Sequence, residues 1–298
     1  MEFSGMIELP HPYGVVVNDA GGANQIAAIV ERQRYKPSWV SASGPAVKIW
    51  NEYFAGTGFQ AGFHWIPVSS AVVTGTGWSS DMEYLGRVEA NRHRVRSIAV
   101  LDHWVNYRER FIRNGRELLP DEIWVVDEYA ESIAREAFPG LRIVRQPDAY
   151  SERMVSQIGP LTDSTPKRLL YLLEPMRTDW GRSEPGEFQA LTYFRDLFDQ
   201  LGFETWKKLR LRLHPSETSE KYERFLDGFF QRPVELSANS LVDDLQECRW
   251  VAGCQTYAMT IAIKAGRSVF CSMPPWSPSC VLPHKEIVHL RNMKKLRI

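Results

Sequence analysis

Short runs of β-branched and aliphatic residues alternate along the chain with longer stretches in which apolar positions return every three or four residues. Residues 14–17 (GVVV) predict a strand, NDAGGAN at 18–24 reads as a glycine-rich turn, and Ile26, Ile29 and Val30 set a helical stripe over 25–34. The unit recurs as strand 39–42 with helix 45–54, strand 71–74 with helix 79–93, strand 97–101 with a helix running through Tyr107 and Phe111, and strand 122–126 with helix 129–138. Pro139 and Gly140 stop that last helix ahead of a strand at 141–144. Strands separated by helical patterns predict a parallel, doubly wound sheet.

Between Gln146 and Lys167 the alternation lapses into turn formers and hydroxyl residues, which predicts a connection between domains spanning 1–155 and 156–298. The pattern restarts with RLLYLL at 168–173, the continuous apolar run of a strand covered on both faces. A helix over 188–201, a strand at 209–213, a helix over 222–230, a strand at 234–236 and a helix over 241–248 follow. Strand 250–252, helix 256–265 and strand 268–271 close the series. The predicted fold class is α/β, two Rossmann-like parallel-sheet domains facing a central cleft, and 298 residues suffice for two such domains.

Composition narrows the function. With 44% apolar and 24% charged residues the chain is neither disordered nor fibrous. Lys+Arg and Asp+Glu both number 36, so no net field draws the chain onto nucleic acid, which is not expected as a partner. No stretch nears the roughly 20 apolar residues of a bilayer span, and MEFSGMIELPHPYG lacks the basic and apolar regions of a signal peptide. The expectation is a cytoplasmic protein, with peripheral association the one membrane role left open. Cys248, Cys254, Cys271 and Cys280 form no CxxC pair and no His stands at zinc-finger spacing from them, which predicts buried free thiols and no metal.

Ligands of open α/β sheets bind beyond the carboxyl ends of the strands, so the residues that follow each strand carry the candidate chemistry. After the first come Asp19, Gly21, Gly22 and Asn24; the paired glycines let backbone N–H groups approach a ligand, while the GxGxxG spacing of a dinucleotide fingerprint is missing. Gly75 and Thr76 keep the end of the third strand open before a helix whose Ser80 and Glu83 read as a capping box. Asp102 and His103 follow the fourth, either as a cap and a buried ring or as an acid and base pair. In the second half, Pro215 holds His214 extended and opens the next helix, placing an imidazole and Ser216 beside exposed N–H groups suited to phosphate. Gln255 and Thr256 begin the helix after 250–252, where amide and hydroxyl can hold a further phosphate oxygen or Thr256 can act as a plain cap.

The order RLLYLLEP, LRLRLHPSE and VAGCQTYAMTIAIKAGRSVF resembles the C-terminal domain of GT-B glycosyltransferases, in particular bacterial enzymes with an HP motif: sialyltransferases, polysialyltransferases and capsule Kdo transferases. The resemblance implies a metal-independent, cofactor-free transferase of bacterial polysaccharide biosynthesis. Its donor would be a nucleotide-activated sugar, such as a nonulosonic acid or Kdo on CMP, and its acceptor a glycan or glycolipid. It implies that His214 contacts the nucleotide phosphate and that Thr256 matches one member of the family's Ser/Thr pair, Gln255 standing at the other. It also implies a carboxylate base in the first domain, for which Asp19 and Asp102 are the candidates, and a leaving phosphate stabilised by helix N-termini with Arg177 or Lys167. A nucleotide-sugar epimerase or hydrolase of the same fold is the alternative. A non-catalytic two-lobed binding protein and a Rossmann oxidoreductase rank behind it.

Overall fold

The computed structural model describes residues 5–176, 178–198, 208–226, 228–230 and 233–293. The chain divides into two compact units, Met1–Arg153 and Met154–Ile298. Among the described residues no helix is long and apolar enough to cross a membrane.

Unit 1 contains strands β1 (Tyr13–Val17), β2 (Trp39–Ala42), β3 (Ala71–Thr74), β4 (Arg96–Val100), the short hairpin β5 (Ile112–Arg113) and β6 (Arg116–Glu117), β7 (Glu122–Val125) and β8 (Arg142–Arg145). Helices α1 (Ala20–Arg32), α2 (Pro45–Tyr53), α3 (Met82–His93) and α4 (Glu128–Ala137) link them. The sheet runs β2-β1-β3-β4-β7-β8 with every pair parallel. All five residues of β1 are buried because both faces are covered. Val15 and Val17 join Ile26, Ile29 and Trp124 on one side, and Val16 packs with Trp65, Ile66 and Ala90 on the other.

Three local expectations are corrected in this unit. The segment read as a glycine-rich turn is the first turn of α1, started by Asp19 in extended conformation with its side chain accepting from the Gly22 N–H. No helix runs through Tyr107 and Phe111; Asn106 adopts φ 56, which breaks helical geometry, and a single 3-10 turn at Glu109–Phe111 leads into the hairpin. The stretch read as an interdomain loop holds α5 (Ala149–Ile158), opened by Asp148, whose Oδ1 accepts from the Ser151 N–H at 3.2 Å; the division between the units falls within this helix.

Unit 2 contains β9 (Leu169–Leu172), β10 (Leu209–Arg212), β11 (Val234–Leu236), β12 (Trp250–Gly253), β13 (Ser268–Cys271) and β14 (Val288–His289), with α6 (Gly186–Leu197), α7 (Leu241–Gln246) and α8 (Tyr257–Lys264). Its sheet order is β11-β10-β9-β12-β13-β14, again all parallel. Phe188, Phe194, Phe198, Tyr222, Phe225 and Phe230 build an aromatic core against β9 and β10. The segment at Glu220–Phe225 is a 3-10 helix where an α-helix over 222–230 was expected, and the end of the helix predicted to 201 lies outside the described residues. Cys248, Cys254 and Cys271 are buried and Cys280 half-buried, all as free thiols.

Candidate functional site

Each sheet has a topological switch point, where successive connections leave toward opposite edges and a crevice opens at the carboxyl ends. In unit 1 it lies between β1 and β3, in unit 2 between β9 and β12.

Three carboxylates gather at the unit 1 switch point, each against a glycine. A Cβ on Gly21 would collide with Asp102, one on Gly75 with Glu83, and one on Gly77 with Asp19. None of these glycines has positive φ, so close approach and not turn geometry calls for them. Glu83, in the first turn of α3, is no member of a capping box: Asp81 holds the cap position, and Glu83 reaches back to accept from the Asn18 N–H at 2.9 Å and the Gly77 N–H at 2.6 Å. It thereby ties the segment after β1 to the segment after β3. Burial, followed by the neighbouring Asp19, pushes Glu83 up to about 7.

Asp19 caps α1 through Oδ1, which accepts from Gly22 N at 2.9 Å, whereas its buried Oδ2 has no hydrogen-bond partner among the described residues. Burial and then the Asp102 charge raise Asp19 to about 6, against the opposing pull of the Gly22 amide, Arg110 and the Gly21 amide. Asp102 is fixed by Arg110, whose Nη1 donates to Asp102 Oδ1 at 2.7 Å and to Thr76 Oγ1 at 3.1 Å; Thr76 in turn donates to the Val100 carbonyl at 3.2 Å. Arg87, one turn after Glu83, donates through Nη1 to Thr74 Oγ1 at 3.0 Å and the Gly75 carbonyl at 2.9 Å, and burial pulls it down to about 10. His103 lies beside the group with Nδ1 accepting from the Trp104 N–H at 3.0 Å, and burial lowers its pKa, which favours a neutral ring with its proton on Nε2. Asn24, expected beside the ligand, sits inside α1 and turns its amide back to the Ala20 carbonyl at 2.9 Å.

In unit 2 three neighbouring strands, β10, β9 and β12, are each followed two residues on by His214, Glu174 and Gln255 respectively. Glu174 Oε2 accepts from the Gln255 N–H at 2.9 Å, and burial raises its carboxyl to about 7. Thr256 is the N-cap residue of α8 with extended backbone and makes no side-chain cap bond, so it is not the plain side-chain cap that its position suggests. His214 is half-buried, its Nδ1 accepting from the Ser216 N–H at 3.2 Å and bonded to Ser216 Oγ at 2.8 Å, an arrangement that leaves the ring proton on Nε2. Pro215 and Ser216 form an exposed turn and do not open a helix; the following 3-10 segment begins only at Glu220, so the N–H groups expected beside His214 are not helix ends. Lys167 is exposed and precedes β9, which puts it at the amino edge of the sheet, away from the residues it was expected to assist. Arg177 lies outside the described residues.

Sequence reasoning missed Glu83, Arg87, Arg110, Gly77 and Glu174 as members of these groups. The one signal within reach was Glu83 and Arg87 at four-residue spacing on a helix that carries Gly86 and Ala90 on its buried side.

No protein-family model and no curated protein sequence matches the chain. Among solved structures the chain is similar to the UDP-GlcNAc 2-epimerase from Methanocaldococcus jannaschii, with a TM-score of 0.57 and 11% identity over 87% of this chain and 83% of that one. It is likewise similar to a putative UDP-N-acetylglucosamine 2-epimerase from Listeria monocytogenes, at TM-score 0.58, 11% identity, and 88% and 79% coverage. MurG of Acinetobacter baumannii gives 0.50 and 10%, over 87% of this chain and 78% of that one. What they share with this chain is the fold: two Rossmann-like domains of GT-B type.

Proposed function

We propose that the chain is a glycosyltransferase of GT-B type that uses a nucleotide-activated sugar, with Asp19 as the base for the acceptor hydroxyl and His214 as a contact to the donor phosphate. The observation that carries the reading is Asp19 Oδ2, a buried carboxylate oxygen with no partner among the described residues, at a switch point, on a group whose pKa is raised to about 6. A base poised near neutral pH is what deprotonation of a sugar hydroxyl requires. Oδ2 takes the hydroxyl proton, the acceptor oxygen bonds to the anomeric carbon, and the bond from that carbon to the phosphate oxygen breaks. The charge left on the nucleotide meets the His214 Nε2–H and the N–H groups at the start of α8. Asp102, held by Arg110, tunes Asp19 through its charge.

The HP-type resemblance favours a CMP-sugar donor with a glycan or glycolipid acceptor, and a solved structure of similar fold, from Neisseria meningitidis, is bound to UDP-GlcNAc. Asp19→Asn should lower acceptor-dependent turnover by about a hundredfold or more while the circular dichroism spectrum stays unchanged. Turnover within a few-fold of wild type in a folded Asp19→Asn protein would remove Asp19 as the base.

Nucleotide-sugar epimerisation or hydrolysis is the second reading, and the number of acidic groups favours it. Asp19, Glu83 and Asp102 lie together at the carboxyl edge of the unit 1 sheet, two of them with raised pKa values, which suits proton transfer at carbon as well as at oxygen. Incubation with donor alone separates the two: an isomer or free sugar formed at catalytic rates supports epimerase or hydrolase chemistry, and product formed only with acceptor supports transfer.

A further inference from the structure

Cys271, Cys280 and His289 are spaced nine residues apart and match no metal-binding pattern along the chain. The fold brings them together. β13 and β14 are parallel neighbours in which Cys271 stands directly opposite His289, so the two side chains leave the same face of the sheet at its carboxyl edge. The segment between the strands returns Cys280 to this point, and one donor atom from each of the three residues lies within 4.8 Å of the others. Both sulfurs converge on the Cys254 carbonyl oxygen, Cys271 Sγ at 3.1 Å and Cys280 Sγ at 3.6 Å.

We propose that these three residues bind a thiophilic divalent cation of the zinc class. Bond lengths of about 2.3 Å to sulfur and 2.0–2.1 Å to nitrogen in a tetrahedral site put ligand atoms roughly 3.5–3.8 Å apart, which small side-chain rotations reach from the observed spacing. Two thiols and an imidazole form a soft donor set that selects zinc over magnesium or calcium. Binding releases two thiol protons to solvent, and the two thiolates neutralise the dication, so a site with one buried and two half-buried ligands gains no net charge. Water or the Cys254 carbonyl oxygen, relieved of its S–H donors, completes the fourth position.

The site has a positioning role toward the switch point of unit 2. Val281, next to Cys280, donates its N–H to Gln255 Oε1 at 3.3 Å, and the Gln255 N–H is the one held by Glu174. Fixing Cys280 to the ends of β13 and β14 therefore fixes the side chain of Gln255. The inference is independent of whether the chain transfers or epimerises sugars.

Cobalt(II) is the probe. The full-length chain, purified under reductant and stripped with chelator, should take up one equivalent of Co2+, with the visible bands of a tetrahedral site and a near-ultraviolet thiolate-to-metal band that Zn2+ abolishes by displacement. Cys280→Ser and His289→Gln, at half-buried positions where folding is checked by circular dichroism, should each weaken Zn2+ binding by about tenfold or more. Cys248→Ala, a thiol bonded instead to the Leu245 carbonyl, should leave affinity unchanged. The proposal is overturned by a folded chain that gives no tetrahedral cobalt spectrum, by unchanged affinity in both ligand variants, or by a Cys271–Cys280 disulfide that persists under reductant.

Discussion

A carboxylate taken out of water keeps its charge only where donors or cations replace the lost hydration, and the unit 1 group shows three degrees of replacement. Asp102 has a guanidinium, Glu83 has two backbone amides, and Asp19 has amides on one side only. Burial, followed by a neighbouring carboxylate, raises Glu83 and Asp19 despite these donors, and this fixes the sign of the pH effects. Glu83 titrates near 4.5 unfolded and at about 7 folded, so between these values the folded state binds more protons and its stability falls as pH rises. Glu83→Gln removes that dependence but sets a carboxamide N–H against a buried amide donor. At pH 5 the variant should be less stable than wild type by about 1–3 kcal/mol, and between pH 5 and 8 it should recover relative to wild type by on the order of 2 kcal/mol. Denaturant titrations across that range test this, and a difference that is flat with pH would show that Glu83 titrates normally. For turnover the sign is opposite, because the base proposed at Asp19 works only when ionised: the rate should rise with pH along a limb near 6 to 7 that belongs to Asp19 and Glu83 as a pair. Asp102→Asn should move that limb toward lower pH, since after burial the Asp102 charge is what holds Asp19 protonated. A pH profile of acceptor-dependent turnover that keeps its midpoint in Asp102→Asn would contradict that influence.

Helix starts decide where the strand-end residues are held. Asp127 caps α4 by accepting from the Ala130 N–H at 2.6 Å, and its two oxygens also accept from the indole of Trp104 at 3.1 and 3.0 Å. One side chain thus anchors both α4 and the turn that carries Asp102 and His103. Asp127→Ala should cost about 1–3 kcal/mol, the sum of a lost cap and a buried indole left short of its acceptor, and should lower the denaturation midpoint without changing the sheet signal in circular dichroism. A loss below half a kcal/mol would mean that the turn is held elsewhere. At this scale the sequence was readable wherever a strand is buried on both faces or a helix carries a full apolar stripe, as in β1, β9 and α1. It was not readable where long-range partners decide conformation. The turn at 102–111 follows the pairing of Asp102 with Arg110 and the left-handed Asn106, and Ser80 with Glu83 imitates a capping box because spacing cannot show that Glu83 bonds to Asn18, 65 residues earlier. β14, two residues long and far from any repeat of the pattern, offered no periodicity to read, which hid the pairing of Cys271 with His289.

Both units use one device at their switch points: a buried carboxyl accepts a backbone N–H from the neighbouring strand end, Glu83 across β1 and β3, Glu174 across β9 and β12. The strand order of unit 2, read outward from its first strand, is 3-2-1-4-5-6, the order in which nucleotides are bound at this crevice. The alternation of apolar runs made this architecture legible, whereas the carboxyls that close the crevices were not, since each acts through a partner on another strand. The nucleotide binding proposed for unit 2 therefore has a direct thermal readout. A nucleotide that binds only the folded unit adds about 2.7 kcal/mol at a hundredfold excess over Kd, which for a domain of this size raises its melting transition by roughly 5–10 °C. Among CMP, UDP, GDP and ADP, we expect a pyrimidine nucleotide to give the largest shift. His214→Ala, which removes the donor proposed to meet the phosphate, should weaken binding about tenfold and so remove about half of that shift. Asp19→Asn, which alters only unit 1, should keep all of it. If His214→Ala retains the full shift, or if none of the four nucleotides moves the transition, the phosphate contact assigned to the β10 end is wrong, and the carboxyl edge of β9 and β12 must take some other anion or none.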